Sequence, residues 1–556
     1  MPSPFPNPLP AETMTTTSAR SHEKGKVEVP RDTTREIFET IVFVVVLVLM
    51  LKLFVAEAFV IPTGSMASTL WGDQVICTCR ECSHMFPINA SDGGMRSPVS
   101  SYICENCGRA FDDPDVRNDI SSVSSGDRVL VSKYAYHLHD PRRFDVPVFK
   151  YPVEPYSAKE MQGMNYIKRL VGLGGETLAV YNGDLYSNRT LDYSHIPGDQ
   201  RPPRELDAWE FRYMYPGDEK ARQAFREGKF VPIRKNPGEI LAMRRIVFDL
   251  DKQPKTPQGI RKVRWHKDPE DGAGWSMETA GFKHEGGDAG WMRYQHIDPW
   301  NDVPVTPYYI VDFLGYNVRD TNTRPFMHDW PSHWVSDLIV DATADLSSPE
   351  SEVILELAKG HDRFQAIFGK GQCRLMRITT DEMGLDSWVE LGSHPTKITK
   401  GGKYGLRFAN VDSRLTVWID GKPLAFSTEQ SDYLPPEPKK AFAPFEKNDL
   451  LQPARIGARG DAVISKVSLW RDLHYTCAWD SRPDPKKIKK LEPELKHIPF
   501  CEDVQTLYVQ PGHFLMFGDN SRSSSDSRSW GQVPQRLMLG RAIVVYWPLS
   551  RLGVIE

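Results

Sequence analysis

Cysteine is scarce in this chain, and so is any excess of charge of one sign. The 556 residues include eight cysteines, and 69 basic residues nearly balance 73 acidic ones, which leaves a net charge of −4. So few cysteines exclude a disulfide-rich scaffold. The near neutrality argues against a nucleic-acid binder with a broad basic face. We therefore expect no nucleic acid among the partners of this protein.

Long hydrophobic runs are also rare, and a single unbroken one extends from Ile41 to Leu51. The apolar stretch around it, residues 37–59, would be about 34 Å long as a helix, enough to cross a hydrocarbon core of about 30 Å. It predicts a membrane-spanning helix over 36–59 after a flexible tail over 1–35 that is rich in Pro, Ser and Thr. Two alternatives are a signal peptide cleaved after Ala58 and a buried helix of a soluble protein.

The distribution of basic residues predicts the orientation of that helix. Lys52 is the only basic residue close after it, whereas five precede it: Arg20, Lys24, Lys26, Arg31 and Arg35. An excess of Lys and Arg marks the cytoplasmic side. We therefore expect a single crossing of the cytoplasmic (inner) membrane, the amino terminus in the cytoplasm, the rest of the chain outside, and lipid as a partner.

Several common catalytic motifs are absent. The chain has no Gly-x-Ser-x-Gly, no His-Glu-x-x-His, and no combined set of Ser-x-x-Lys, Ser-Asp-Asn and Lys-Thr-Gly. These absences exclude the nucleophile elbow of the α/β-hydrolases, the zincin helix and the penicillin-binding arrangement. Three short polar stretches remain as candidates for chemistry.

The first two stretches supply a serine and a lysine. Residues 59–70 place Ser65 where a strand-like segment enters a turn, although serines in turns often only bond nearby backbone. Residues 165–178 place Lys168 beside Arg169 in a strand-like run, so alternation predicts that one of the two side chains points inward and the other into solvent. An inward lysine would have a lowered pKa and would accept a proton near neutral pH. The alternative is an edge strand with two solvated basic residues.

The third stretch, residues 514–531, is a short apolar strand that runs into a loop rich in hydroxyls, with two Asp and two Arg. It is either a simple polar turn or a loop that holds a buried lysine. With a further box at Gly126-Asp127-Arg128, the three stretches resemble the bacterial type I signal peptidases (leader peptidases), in the order found in that family. These are membrane-anchored endopeptidases with a Ser/Lys dyad. The resemblance covers 60–72, 126–190 and 500–550.

This resemblance implies a β-rich catalytic core that removes signal peptides from exported precursor proteins without a catalytic cofactor. It implies that Ser65 is the nucleophile, Lys168 the general base, and the Thr63 hydroxyl part of the oxyanion hole. One departure is Ser521, where the family commonly has arginine. The implied supporting residues are Ser524, Asp526, Arg528, Gly518, Asp519 and Asn520, and the implied substrate-binding residues are Ile61, Pro62, Tyr166 and Ile167.

Four of the cysteines form two Cys-x-x-Cys pairs with 21 residues between them, and each pair is followed by x-x-x-Phe. This spacing favours a four-cysteine zinc ribbon over 77–111, with a structural rather than a catalytic zinc. The predicted ligands are Cys79, Cys82, Cys104 and Cys107. A pair of disulfides and redox-active pairs are the alternatives.

The rest of the chain separates the second and third stretches. Asn182-Gly183 predicts a tight hairpin turn. Residues 330–475 contain short alternating strands, which predict an antiparallel sandwich that resembles the concanavalin-like (laminin-G-like) jelly rolls. Such a sandwich would contact envelope carbohydrate or protein, and its Trp418 and Trp470 are interpreted as core rather than as a sugar platform. Residues 191–329 show no clear pattern apart from a helix-like patch at 218–228.

The predicted fold class is mainly β, with a signal-peptidase-type core, one transmembrane helix and two inserts. The predicted domains are a tail (1–35), a transmembrane helix (36–59), the catalytic core (60–76, 112–190 and 495–556), a zinc-ribbon-like insert (77–111), an insert of unclear fold (191–329) and a jelly-roll sandwich (330–475). The competing hypothesis is a catalytically inactive envelope-binding protein that displays a lectin-like domain. The joint presence of the dyad and its supporting hydroxyls argues against it.

Overall fold

The computed structural model describes most of the chain and divides it into two compact units, Met1–Phe54 and Val55–Glu556. The described residues are 33–50, 52, 55–92, 95–96, 98–152, 163–191, 219–254, 263–278, 281–297, 306–318, 333–381, 383–434, 444–476 and 504–556. Predictions for residues 1–32 lie outside them.

The first unit contains helix α1, Thr33–Met50. Its large apolar side chains, from Ile37 to Met50, are 44–66% exposed. The described part of the chain holds no helix that combines the length and the apolar character needed to cross a bilayer. The predicted helix over 36–59 is wrong at its end, because Ala56–Val60 forms a strand instead. The tail predicted over 1–35 is wrong at 33–35, which belong to α1.

The strands of the second unit are numbered in chain order. They are β1 (Ala56–Val60), β2 (Gln74–Thr78), β3 (Met85–Asn89), β4 (Ser91–Asp92), β5 (Met95–Arg96), β6 (Tyr102–Ile103), β7 (Ala110–Phe111), β8 (Arg128–Ser132), β9 (Pro147–Lys150), β10 (Asn165–Ile167), β11 (Arg169–Gly172), β12 (Thr177–Tyr181), β13 (Asp184–Asn188), β14 (Val231–Pro232), β15 (Arg245–Asp249), β16 (Trp265–Lys267), β17 (Trp275–Glu278), β18 (Gly281–His284), β19 (Gly290–Tyr294), β20 (Leu338–Leu346), β21 (Glu352–Lys359), β22 (Asp362–Gly369), β23 (Gln372–Thr380), β24 (Asp386–Pro395), β25 (Gly402–Val411), β26 (Arg414–Ile419), β27 (Lys422–Pro423), β28 (Ala454–Arg459), β29 (Ala462–Arg471), β30 (Gln505–Tyr508), β31 (His513–Phe517), β32 (Val533–Pro534), β33 (Met538–Trp547) and β34 (Gly553–Val554).

The helices of this unit are short. The α-helices are α2 (Val116–Asp119), α3 (Ala135–Leu138), α4 (Glu219–Arg226), α5 (Pro237–Met243), α6 (Thr428–Ser431) and α7 (Ser527–Trp530). Helix α4 bears out the helix-like patch predicted at 218–228, and its Ala221, Ala224 and Phe225 are buried. Single turns of 3-10 helix occur at Gly64–Met66, Gly315–Asn317, Ser521–Ser523, Gln535–Leu537 and Leu549–Arg551, and a π-helix at Glu446–Leu450.

The catalytic core predicted from the sequence is built from both ends of the second unit. A six-stranded sheet has the order β1-β8-β33-β9-β10, with β34 paired to β33. A three-stranded sheet, β11-β31-β32, and a four-stranded sheet, β14-β13-β12-β30, also combine early and late strands. The predicted Asn182-Gly183 turn is confirmed, since it joins β12 to β13 and both residues have positive φ, at 49° and 90°.

An antiparallel sandwich forms the largest core. Its eight-stranded sheet has the order β17-β18-β29-β20-β25-β26-β27, with β15 paired to β29, and its seven-stranded sheet has the order β16-β19-β28-β21-β22-β23-β24. Buried side chains of both sheets, such as Phe408 and Phe364, share one hydrophobic cluster. The predicted start at residue 330 is wrong, because strands that precede it belong to both sheets. Strands β15 and β18 pair with β29, and β19 pairs with β28. Strands β16 and β17 pair in turn with β19 and β18.

The cysteine-rich segment forms three two-stranded ribbons, β2-β3, β4-β5 and β6-β7. Its small core contains the four predicted ligand cysteines together with Phe86 and Phe111. Asn106 ties it to the sandwich, because its side-chain amide donates to the Lys252 carbonyl at 2.8 Å and its Oδ1 accepts from the Asp249 N–H at 2.7 Å. The insert is therefore packed against the sandwich.

Candidate active site

The turn that carries Ser65 is fixed by close backbone packing. It follows β1 as the single 3-10 turn Gly64–Met66. A side chain at Gly64 would clash, because a Cβ there would lie 2.3 Å from the ring of Tyr316. Asn520 donates from its backbone N–H to the Ser65 carbonyl and from its side-chain amide to the Gly64 carbonyl, both at 3.0 Å. The turn is thus held on two sides, while Ser65 itself remains partly exposed.

Lys168 brings its amine to this serine. Lys168 Nζ donates to Ser65 Oγ at 2.5 Å, and the lysine is 3% exposed. Burial lowers the pKa of Lys168 to about 8, although the carboxylates of Asp526 and Asp519 act in the opposite direction. With this pKa, about a tenth of the molecules would carry a neutral amine at pH 7. The short distance between the two side chains and the lowered pKa of the lysine are therefore those expected of a nucleophile and its general base.

Lys168 lies where the chain passes from one sheet to another. Ile167 pairs with Val148 in the six-stranded sheet, whereas Arg169 pairs with Phe517 in the three-stranded sheet. The predicted continuous strand is therefore wrong, and so is the prediction that one of the two basic side chains faces solvent. Alternation fails here because the two residues do not belong to one strand, and both side chains are buried.

Arg169 joins the lysine segment to the carboxy-terminal loop. Its guanidinium makes two hydrogen bonds to Asp519, at 2.8 and 2.7 Å, and two more to the carbonyls of Phe144 and Glu556. Burial would raise the pKa of Asp519, but the adjacent guanidinium outweighs it and holds the pKa below its usual value. Thr69 Oγ1 donates to the same carboxylate at 2.5 Å. Asp519 therefore connects the serine turn, the lysine segment and its own loop.

The ion pair between Asp526 and Arg528 organises the rest of that loop. Its atoms lie 2.5 and 2.9 Å apart, and the Gly518 N–H donates to Asp526 at 3.0 Å. Arg528 also donates to the Ser521 hydroxyl at 2.6 Å and to the Thr476 carbonyl at 2.9 Å. Ser521, the departure from the family pattern, thus bonds directly to the arginine.

Ser524 and Thr63 differ in their surroundings. Ser524 is 1% exposed, and within the described residues its hydroxyl has no hydrogen-bond partner. A Cβ at Gly518 would lie 2.1 Å from Ser524 Oγ and 2.5 Å from the Ser65 carbonyl oxygen, so these three residues pack closely together. The Thr63 side chain is exposed and makes no capping hydrogen bond to the turn.

The predicted substrate residues lie on two edges of the six-stranded sheet. Ile61 is buried in the core below the turn, Pro62 beside it is exposed, and Ile167 packs partly buried against the same core. Strands β1 and β10, which lead to and contain these residues, end the strand order of the sheet on opposite sides.

Tyr166 belongs to an aromatic group that sequence reasoning missed. Its ring lies 5.0 Å from that of Tyr151 and 6.3 Å from that of Trp530, between ring centroids. Phe149 packs on both Tyr166 and Trp530. The sequence feature that could have indicated this group is Trp530, a tryptophan in the otherwise polar third stretch.

Two further residues near the serine, Tyr316 and Asn317, were also missed. They come from the segment 306–318, in the part of the chain for which the sequence offered no pattern. Tyr316 packs on Gly64, and Asn317 exchanges two hydrogen bonds with Asn520, at 2.9 and 2.7 Å.

The four cysteines converge on one point. Cys79 and Cys107 have their sulfurs 3.7 Å apart, Cys82 and Cys104 have theirs 3.6 Å apart, and all four lie within 4.8 Å of one another. Four thiolates at about 2.3 Å around a zinc ion would have sulfurs about 3.8 Å apart. The donor set therefore fits zinc, and none of these sulfurs is within bonding distance for a disulfide.

Two other groups of possible metal ligands occur among the described residues: Asp312 with His333 and His474, and Asp184 with Asp337 and Asp412. Arg522 pairs with Asp312 at 2.8 Å. Lys359 and Lys235 pair with the carboxylates of the second group, at 2.5 and 2.9 Å. Because basic side chains already compensate these carboxylates, we assign both groups to ion pairing.

With this geometry in place, the chain was compared with known proteins. The family described as signal peptidase, peptidase S26, matches residues 115–226 and 413–547. The two segments, here called the S26 domain, are similar to that family and together cover less than half of the chain. The matched residues include Lys168 and the carboxy-terminal loop, whereas Ser65 and the four cysteines precede them.

Individual relatives agree with the S26 domain. The chain is 28% identical over 184 residues to probable signal peptidase I-2 of Synechocystis sp., which covers 33% of this chain and 59% of that protein. It is 36% identical over 92 residues to signal peptidase I of Pseudomonas aeruginosa, which covers 14% of this chain and 30% of that protein. The chain thus spans less than two thirds of these relatives. The similarities are thus to peptidases of the type I signal peptidase class.

Among solved structures, the carbohydrate binding module CBM66 from Bacillus subtilis is similar at a TM-score of 0.22 and 10% identity, over 37% of this chain and 95% of that one. A likeness this slight assigns neither a fold nor a ligand.

Proposed function

We propose that this protein is a signal peptidase that cleaves signal peptides from exported precursor proteins with Ser65 as nucleophile and Lys168 as general base. The observation that carries the proposal is the 2.5 Å contact between Lys168 Nζ and Ser65 Oγ, made by an almost fully buried lysine. The S26 domain around Lys168 supports it independently.

The reaction follows acyl-transfer chemistry. Neutral Lys168 removes the Ser65 proton as Oγ attacks the carbonyl carbon of the scissile peptide bond. The Ser65 N–H and the Thr63 hydroxyl hold the oxyanion, and one such donor contributes about 3–4 kcal/mol. The Lys168 ammonium then gives its proton to the departing amine as the C–N bond breaks. A water molecule, deprotonated by Lys168, releases the acyl group from Ser65.

The hydroxyl of Ser524 would orient the lysine. It is buried without a partner among the described residues and lies beside the Ser65 backbone. A hydroxyl that accepts from Nζ would aim the amine's lone pair at Ser65. The proposed reaction steps use no metal or cofactor.

The substrate would bind in extended form as an added strand. Strands β1 and β10 are edges of the six-stranded sheet, and edges offer backbone hydrogen-bonding groups to an incoming chain. Pro62 is exposed beside Ser65, and Tyr166 and Ile167 precede Lys168 directly. Small side chains at the −1 and −3 positions would face these residues.

The proposal includes attachment of the amino-terminal segment to the cytoplasmic membrane, with the S26 domain outside. Helix α1 supports it, because its run from Ile41 to Met50 is wholly apolar and exposed. In cell fractionation, the full chain should sediment with membranes and remain there at alkaline pH.

The test uses the full chain in detergent micelles and a peptide substrate with an Ala-x-Ala cleavage site. Ser65→Ala and Lys168→Met should each lower kcat/KM at least about a thousandfold, as removal of a nucleophile or its base does. Ser132→Ala and Lys150→Met, which change a serine of β8 and the exposed lysine of β9, are the matched controls and should keep full activity.

Cleavage at the Ala-x-Ala site that survives both active-site substitutions would refute the dyad. A wild-type protein that fails to cleave would favour the competing hypothesis of an inactive envelope-binding protein.

A further inference from the structure

The segment that contains the 3-10 turn Gly315–Asn317 lies between the cysteine-rich module and the serine turn. On one side, the Gly315 N–H donates to Glu105, which stands between the ligand cysteines Cys104 and Cys107, at 2.8 Å. A Cβ at Gly315 would lie 2.7 Å from Cγ of Glu105, so the two segments are in close contact. We call residues 315–317 the clasp.

On its other side the clasp meets the serine turn. Tyr316 is 1% exposed, and its ring covers Gly64, where a Cβ would lie 2.3 Å away. Its hydroxyl accepts from the Gly72 N–H at 3.2 Å. Gly72 in turn packs on the Thr63 backbone, which a Cβ would approach to 2.4 Å. Tyr316 therefore contacts the chain on both sides of Ser65.

Asn317 supports the turn through Asn520. The two side-chain amides donate to each other's oxygens at 2.9 and 2.7 Å. Asn520 is the residue that donates to the carbonyls of Ser65 and Gly64. Loss of Asn317 would remove two hydrogen bonds from the buried Asn520 side chain, leave its Oδ1 without the Asn317 donor, and weaken its hold on the turn.

From these contacts we infer that Tyr316 and Asn317 are positioning residues for Ser65, and that the clasp transmits the position of the four-cysteine module to the nucleophile. This inference rests on the proposed function. The large insert, which contains the clasp, then helps to hold Ser65 in position. A shift of about 1 Å in a reacting group costs about a hundredfold in rate.

The test is a single-turnover assay with the full chain in saturating excess over the Ala-x-Ala peptide, since the rate constant is then independent of any inactive fraction. Tyr316→Ala should slow it about a hundredfold, and Asn317→Ala about tenfold, by displacement of Ser65. Tyr316→Phe keeps the ring on Gly64 and should stay within about threefold of wild type, because only one hydrogen bond is lost. In steady-state assays KM should remain unchanged, because the contacts of the clasp described above hold the serine turn and not the substrate-binding residues.

The matched control is Tyr294→Ala, which also removes a fully buried tyrosine with a bonded hydroxyl, but in the sandwich core. It should lower the melting temperature without changing the single-turnover rate. Hydrogen exchange gives a readout that does not depend on cleavage: the Gly72 amide should exchange faster in Tyr316→Phe than in wild type.

The outcomes separate the two proposals. A wild-type protein without Ser65-dependent cleavage overturns the proposed function, whatever the clasp does. Wild-type cleavage with unchanged single-turnover rates in Tyr316→Ala and Asn317→Ala overturns the inference alone. If Tyr316→Ala does not fold, Asn317→Ala decides by the same rate measurement.

Discussion

A buried lysine without a carboxylate in direct contact is costly at neutral pH. Lys168 has a pKa of about 8 because burial disfavours its charged form, against a usual value of 10.5. A shift of this size corresponds to about 3 kcal/mol. The chain bears this cost at the one position where a neutral amine would serve as a base.

Two measurements follow from the pKa of Lys168. Between pH 8 and 10.5, Lys168 is protonated in the unfolded chain and neutral in the folded chain. The free energy of unfolding therefore rises with pH in this window. Below pH 8 the folded lysine is charged as well, and its contribution destabilises the fold most. Lys168→Met removes the penalty, and its stability advantage over wild type should shrink by about 2 kcal/mol from pH 7 to pH 9.5. Chemical denaturation at the two pH values measures this change in the stability difference.

The same pKa predicts how activity depends on pH. Because the neutral amine is the base, kcat/KM of the wild type should rise with pH with a midpoint near pH 8.

Lys150→Met is the control for this comparison, because Lys150 is exposed at the end of β9 and its stability difference should not vary with pH. An advantage of Lys168→Met that stays constant over the same range would contradict the lowered pKa.

At the scale of elements, sequence patterns predicted the helices, strands and turns that depend on neighbouring residues along the chain. The Asn182-Gly183 turn, the helix at 219–226 and the strands β25, β26 and β29 each follow from a short stretch of residues. The break at Lys168 did not, because Ile167 pairs with β9 and Arg169 with β31, which is more than 300 residues away. The sequence alone does not reveal which distant strand a residue will pair with.

The candidate site shows the same division. The identities of Ser65, Lys168 and the carboxy-terminal loop came from motif order and family resemblance. Tyr316 and Asn317 could not be identified in this way, because they act only through their packing against Gly64 and Asn520. The strands β15–β19 were missed for a related reason. They are short and rich in tryptophan and charge, and β15, β18 and β19 pair with β28 or β29, which lie far along the chain.

The two cysteine pairs form one element that should depend on metal. Protein purified under reducing conditions without chelator should contain about one zinc per chain, because four sulfurs 3.6 to 3.7 Å apart across the pairs match a tetrahedral thiolate site. The double variant Cys82→Ser/Cys104→Ser should lose the metal and melt at a lower temperature. Elemental analysis and calorimetry make the measurement.

Cys373→Ser is the matched control, since Cys373 is a buried cysteine of the sandwich and should leave zinc content unchanged. An intact mass lower by about four hydrogens, with no zinc bound, would show two disulfides instead.

At the scale of the whole molecule, buried charges join the sandwich to the catalytic core. Lys359 of β21 contacts Asp337 at 2.5 Å and Asp184 of β13 at 3.6 Å. Lys235, which follows β14, contacts Asp412 at 2.9 Å and Asp472 at 2.8 Å. After Asp472 the chain continues to Tyr475, which packs in the core of β12 and β31. The sandwich is thus built into the core, not appended to it.

The joint packing predicts that the sandwich and the catalytic core of the second unit unfold together. Lys235→Met would leave Asp412 and Asp472 buried without their shared cation, which costs about 3–5 kcal/mol. We expect one calorimetric transition in wild type and in the variant, shifted down in the variant, with peptidase activity lost over the same temperature range. Lys229→Met should shift it little, because the Lys229 side chain is 60% exposed and pairs with the exposed Glu227. A sandwich transition well below the loss of activity would instead mean that the catalytic core stands without it, and the buried charges would then only join two independent folds.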